Sequence, residues 1–223
     1  MHGQPYQPVP YQPARIPAKA SMAISADLRE RMSERRTVRT FATDPVPEQV
    51  VLDAIAVAAT APSGANQQPW TYVLVTSPQT RAAIRTAVEE DEQRSYEGRL
   101  GQEWLAARVP LGTDAHKPHL TDAPYLIAVF EQQFYLDANG ASHKHYHVDE
   151  SVGISVGMLL TTLHLSGLSA LVHAPNSMDF LSDMLCRPHN EKPFAVIAVG
   201  YPARDAVVPD LVRKSLDEVI IRA

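Results

Sequence analysis

The chain of 223 residues contains a single cysteine, Cys186. No internal disulfide is possible, so a small stapled scaffold is excluded, and a lone thiol fits a reducing compartment such as the cytoplasm. Cys186 follows Met184-Leu185 in a helix-like stretch and is expected to be buried as a small hydrophobe. Positive charge is also scarce. The net charge is −5, whereas a nucleic-acid partner calls for a basic face. A charged-then-apolar secretion pattern is missing from the N-terminus. Only one long apolar run exists, residues 151–168. It carries Thr161, Thr162, His164 and Ser166 and starts directly after Asp149-Glu150, so a core or subunit-interface helix is expected rather than a membrane span. Its Gly153 and Gly157, four apart, suit close helix packing. There is no internal repeat, and no GxGxxG follows a strand, which removes the Rossmann unit.

What is present points to one large folded domain. Apolar residues make up 45% and charged residues 20% of the chain, the balance of an ordinary globular protein with an ample core. Residues 1–24, with Pro5, Pro8, Pro10, Pro13 and Pro17, read as an extended tail, because such a segment buries too little to offset its ordering entropy. Residues 25–223 form the domain. Helices are expected over 25–35 (Leu28 and Met32 on one face), after Asp44-Pro45-Val46-Pro47 (Leu52, Ile55 and Ala59 on one face), over 78–96, 99–108, 148–166 and 179–186. Strands are expected over 70–76, 125–131, 168–173 and 194–199. From Val208 onward the chain reads as irregular.

Two segments carry chemistry. Arg35-Arg36-Thr37-Val38-Arg39 clusters guanidiniums, which bind a phosphate bidentately. Ala61-Pro62-Ser63-Gly64-Ala65-Asn66-Gln67-Gln68-Pro69-Trp70 is a glycine-bearing loop whose backbone can lie against a flat ligand. The run His143-Lys144-His145-Tyr146-His147 offers three imidazoles, but no carboxylate or Cys spacing completes a metal site, and none is expected.

The arginine run and the glycine loop together resemble the flavin-binding front end of the nitroreductase superfamily, in the version carried by iodotyrosine deiodinases. Val208-Pro209-Asp210-Leu211-Val212-Arg213-Lys214 is similar to that branch's tail. The resemblance covers about residue 25 to the C-terminus and implies an α+β fold, a mostly antiparallel sheet flanked by helices and completed as an intertwined homodimer. It implies FMN as cofactor, contacted by Arg35, Arg36, Thr37, Val38, Arg39, Pro62, Ser63, Gly64, Val172, His173, Ala174 and Arg213. The branch's mammalian members carry an N-terminal membrane anchor. This chain shows none and is expected to be a soluble bacterial relative.

The segment Glu89 to Gly101, followed by Trp104 and Lys117, is similar to the active-site lid of the deiodinases, placed here at about 88–120. By that resemblance Glu92, Tyr96 and Lys117 grip a zwitterionic amino acid. Glu92 and Tyr96, at i and i+4, would share a helix face. Ala65 matches the position whose backbone N–H meets the substrate phenolate. The activity implied is reductive removal of halide from a halotyrosine, with NAD(P)H or a reductase as electron donor. Nitroreduction of nitroaromatics or other phenolic substrates, and a non-catalytic flavin or tyrosine-ligand binding protein, are the alternatives.

One departure bears on the redox mode. In Leu171-Val172-His173-Ala174-Pro175 the deiodinases have a Thr directly before the Pro, and its hydroxyl reaches flavin N5 and supports one-electron steps. Ala174 has no side-chain donor. Its backbone N–H, or His173, is expected to serve instead, so both are the candidate catalytic residues.

Overall fold

In a computed structural model that describes residues 6–174 and 178–223, strand β2 (Tyr125–Gln132) forms the spine of the molecule. It is flanked by β1 (Trp70–Val75) and β6 (Glu191–Gly200), and β5 (Ser169–His173) closes the far edge, giving an antiparallel sheet in the order β1-β2-β6-β5. Leu126 to Phe130 are all fully buried. A central strand covered on both faces reads as a continuous apolar run rather than an alternation. Alternation still decides which way each side chain goes. Ile127 and Val129 pack with α2 (Glu48–Ala58) and α6 (Val148–Leu165), through Val51, Ala54, Ala58, Val152, Val156, Leu159 and Leu163. Leu126, Ala128 and Phe130 pack on the other side with α3 (Pro78–Arg94), α5 (His119–Asp122) and α7 (Phe180–Met184), through Ile84, Val88, Leu120 and Leu181. Each wholly buried Val, Leu, Ile or Phe among them contributes roughly 1.5–3 kcal/mol.

Polar stitching fixes the first of these layers. Ser155 is fully buried on α6, donates to the Ala58 carbonyl at 2.7 Å and meets the Tyr72 hydroxyl at 2.5 Å. One hydroxyl thus ties α6 to both α2 and β1. No helix among the described residues is long and apolar enough to cross a membrane.

Several boundaries differ from expectation. The described residues up to Glu34 form one unit and Arg35–Ala223 another. In the first, residues 6–17 are extended but helix α1 spans Ala18–Ser33, beginning seven residues before the expected start at 25 and cutting the extended tail short of residue 24. Pro17 stops at the N-cap, and Ala18-Lys19-Ala20 are strong helix formers that the proline density upstream obscured. Helix α2 is rotated from its expected face: Val51, Ala54 and Ala58 are buried while Leu52 is 40% exposed. A hairpin of β3 (Phe134–Leu136) and β4 (Ser142–Lys144) was not foreseen, although Asn139-Gly140 between them, with Gly140 at φ 80, is its turn signal. The C-terminal stretch holds a short helix, α8 (Leu216–Val219), started by a capping box between Ser215 and Glu218. Cys186 is exposed, not buried: it lies just past α7 at φ 51, where the chain reverses and its side chain leaves the apolar face. The position of Pro175, like that of the first five residues, lies outside the described residues.

Candidate active site

The arginine run is drawn to the open edge of the sheet. Thr37 bridges in parallel to Ala170 on β5, and Val38 is buried beneath. Ala42 N–H donates to the Tyr201 carbonyl and Ala203 N–H to the Thr40 carbonyl, lacing this segment beside the end of β6. The far end of the chain meets the same place: the Arg36 guanidinium donates to the Pro209 carbonyl, and Arg213 to the Arg35 carbonyl. Arg35, Arg36 and Arg213, distant in sequence, therefore share one corner. Such a donor set is chemically matched to a terminal phosphate. Arg39 is half-buried, and burial, with Arg108 adding to it, pulls its guanidinium below its usual range.

Next to that corner, strand alternation sorts the end of β5. Val172 and Ala174 are exposed and His173 is buried. Val172 and Ala174 thus present a small apolar strip able to lie along a flat ring, while the His173 side chain turns inward.

The glycine loop is strained and well fastened. Ala65, Asn66 and Gln68 all have positive φ, at 50, 53 and 50. Non-glycine residues hold such angles only where the surroundings over-determine them. Here Ser63 Oγ accepts from the Gln68 N–H at 2.9 Å, Gln67 Oε1 accepts from the Tyr146 N–H at 2.8 Å, and the Pro69 carbonyl accepts from Gln132. The loop has Pro62 and Ala65 at its surface. Gly64 is needed for a reason the sequence did not offer. A Cβ there would stand 2.5 Å from the Tyr146 carbonyl oxygen, so the close approach that demands glycine is to the protein's own backbone.

The residues of the expected lid converge. Glu92 near the end of α3 and Lys117 just before α5 are buried, with Lys117 Nζ 3.3 Å from Glu92 Oε2. That distance makes an ion pair, yet Oε2 has no hydrogen bond. Lys117 Nζ also donates to the Asp114 carbonyl, and its backbone N–H donates to Glu89 at 2.6 Å. Burial lowers the Lys117 pKa, and Glu92 opposes that shift. Helix α3 ends at Arg94, and Tyr96 lies in the wider helical turn Ser95–Arg99 that follows it. Its hydroxyl donates to the Thr113 carbonyl at 2.7 Å and its ring lies 5.6 Å from Lys117 Nζ. Trp104 on α4 (Gly101–Arg108) meets the Tyr96 ring edge-on at 5.1 Å, and Arg108 caps Trp104 at 4.4 Å.

Two histidines line the floor. His173 Nε2 lies 3.7 Å from Glu92 Oε1, and the His119 and His173 rings are 6.1 Å apart. Both Nε2 atoms are buried without a hydrogen-bond partner among the described residues. Desolvation, reinforced by Lys117 and Arg39, lowers His119 to about 4, and the same causes with His119 and Arg108 lower His173 to about 3. Both are neutral at pH 7. His119 was missed from sequence, since a lone His in a four-residue helix has no periodic context. Its place two residues after Lys117 was the available signal.

The three imidazoles of the His143 run are used separately. His143 pairs with Asp137 at 3.0 Å, buried His145 meets the Gln132 carbonyl at 3.0 Å, and His147 starts α6 at φ 51. Among the described residues no three His, Cys, Asp or Glu gather as a metal site.

Comparison with known proteins bears on the family and the fold. The model of the Nitroreductase family matches residues 32–201. An iodotyrosine deiodinase of Haliscomenobacter hydrossis is 46% identical over 213 residues, covering 96% of each chain. Iodotyrosine deiodinase 1 of Mus musculus is 38% identical over 214 residues, covering 96% of this chain and 75% of its own. A crystal structure of oxidized iodotyrosine deiodinase bound to FMN and 3-iodo-L-tyrosine superposes with a TM-score of 0.73 at 30% identity, over 87% of this chain and 97% of that one. On these grounds the chain belongs to the nitroreductase family, in its iodotyrosine deiodinase branch.

Proposed function

We propose that this protein is an FMN-dependent oxidoreductase that removes halide from halotyrosines. Net, a carbon–halogen bond takes up two electrons and a proton and becomes a C–H bond with release of halide. Bound FMN supplies the two electrons, drawn from NAD(P)H directly or through a reductase. The observation that carries the reading is the convergence of half-buried Tyr96 on the buried pair Glu92 and Lys117.

Each group has a part. Arg35, Arg36 and Arg213 hold the phosphate, and Arg39 stands beside the ring system. The Ser63-Gly64 loop and the Val172/Ala174 strip flank the ring. Glu92 accepts from the substrate ammonium, while Lys117 and Tyr96 donate to its carboxylate. In the free chain Glu92 and Lys117 neutralise one another. A zwitterion entering between them exchanges that one pair for two charge-assisted contacts, each worth roughly 1.5–3 kcal/mol. Removing one charge of a buried pair leaves the other uncompensated, so the ligand is held where its two charges are needed. The Ala65 N–H would donate to the substrate phenolate, a form that halogenation of the ring favours. His173, turned from the Val172/Ala174 strip, acts on the site through Glu92.

A homodimer is part of this reading, because exposed apolar side chains remain at Val212, Leu216, Val219 and Ile221 near the end of the chain. A second subunit covering them would remove that apolar surface from water.

Flavin-fluorescence titration of the holoprotein tests the grip. 3-Iodotyrosine should bind about ten- to a hundredfold tighter than 2-iodophenol, and Lys117→Met should erase the difference. Equal constants for the two ligands in the native protein would sink the proposal. Ala174 favours a second reading, two-electron nitroreduction. Turnover of iodotyrosine against a nitroaromatic under the same reductant decides between them.

A further inference from the structure

The lid contains a second buried carboxylate beside Glu92. Asp91 precedes it on α3, and successive helical positions point about 100° apart, so the two acids face different neighbours. Glu92 looks at Lys117 and His173. Asp91 meets the chain that follows, where both its oxygens are taken by one guanidinium: Arg99 Nη1 to Oδ1 at 2.8 Å and Nη2 to Oδ2 at 2.9 Å. Arg99 Nη2 also donates to the Asp91 carbonyl at 3.3 Å and to Ser95 Oγ, while Ser95 Oγ donates to that same carbonyl at 3.1 Å. Arg94 adds a longer contact to Asp91 at 3.4 Å.

This knot sits where the helix breaks. Between Arg94 and the start of α4 the chain makes the wide turn Ser95–Arg99, with Gly98 at φ 113 and Gly101 at φ 79. Both values are left-handed conformations that glycine adopts without cost, which makes the stretch a natural hinge. Tyr96 lies inside it. We propose that Asp91 and Arg99 are positioning residues for the amino-acid end of the substrate, stapling the turn that carries Tyr96 against the helix that carries Glu92.

The proposal rests on the halotyrosine reading and explains why two successive acids are buried in a lid. Glu92 has a partner that a ligand can replace. Asp91 has a bidentate partner within eight residues that no ligand needs to disturb. Fixing the turn beforehand removes an ordering cost from binding, the general route by which preorganisation raises affinity. The benefit falls only on ligands that use Tyr96 and Glu92.

Arg99→Ala and Arg99→Lys holoproteins, titrated with 3-iodotyrosine and 2-iodophenol by flavin fluorescence, test this. Arg99→Ala should raise the iodotyrosine Kd about tenfold or more, and Arg99→Lys, which keeps charge without the fork, by a smaller factor. The iodophenol Kd and FMN retention should stay within about twofold. A native preference for iodotyrosine that survives in Arg99→Ala overturns the staple alone. Equal weakening of both ligands, or loss of FMN in both variants, also overturns it by showing a merely structural role. A native protein that does not discriminate between the ligands overturns the halotyrosine reading and the staple's role together.

Discussion

His119 and His173 have left water without gaining a partner for Nε2 among the described residues, and the cost falls on their charged forms. Lys117 and Arg39 stand near both rings and deepen that penalty. The folded pKa values, about 4 and about 3, lie below the ordinary value of 6.5. Between those limits the unfolded chain binds more protons than the folded one, so this stability is complete above pH 6.5 and is lost as pH falls. For His119 the slope approaches about 1.4 kcal/mol per pH unit. His119→Phe should therefore flatten the pH dependence of urea-unfolding free energy between pH 4 and 6.5, and an unchanged slope would mean the imidazole is not held neutral. Residues of this kind were the least legible. Glu92, Tyr96 and Lys117 stand in a recognisable string of lid residues. His119, Asp91 and Arg99 acquire their roles only once α3, α5 and the Ser95–Arg99 turn are packed together.

At the scale of elements, long apolar or strongly patterned segments were readable and short ones were not. Strand β2 and helix α6 announce themselves because burial on one or both faces writes a pattern several residues long. The β3–β4 hairpin and α5 are too short to do so, and the face of α2 was misjudged because alanines, which pack closely, carry less apparent hydrophobicity than Leu52. The glycine loop was legible as a distinct loop before β1, but its internal logic belongs to Tyr146, far away in sequence. That logic is testable. Gly64→Ala drives a Cβ to 2.5 Å from a backbone oxygen rather than a pliable side chain, so the loop and the start of α6 must separate. Overpacking of this kind typically costs 1–3 kcal/mol. Urea unfolding of the apoprotein should show that loss, and FMN retention should fall with it. A variant as stable as the native chain, with FMN held equally well, would mean that the loop shifts without strain.

At the scale of the molecule, the face of α6 turned from the core raises the question of subunits. Gly153, Ile154 and Gly157 lie there, with Ile154 48% exposed, while Val152, Ser155, Val156 and Leu159 face inward. A Cβ added at Gly153 or Gly157 meets nothing within 4 Å in the single chain. Glycine in a helix interior costs roughly 0.5–1 kcal/mol relative to alanine, and nothing within the chain requires it at either position. A helix from a second subunit, packing closely across this face, would supply the missing reason. Gly157→Arg then separates the two cases. If the face meets only solvent, arginine fits the open space, improves helix propensity and leaves the mass in solution unchanged. If it packs against a partner, the side chain lands in the interface and forces the subunits apart. Light scattering should give the native protein twice the 24.5 kDa chain mass, and Gly157→Arg a larger share of single chains. FMN retention should fall in parallel if the flavin sites are completed by the second subunit. A native protein that is monomeric, or a variant that keeps both its mass and its flavin, would remove α6 as the interface and leave its two glycines without a packing role.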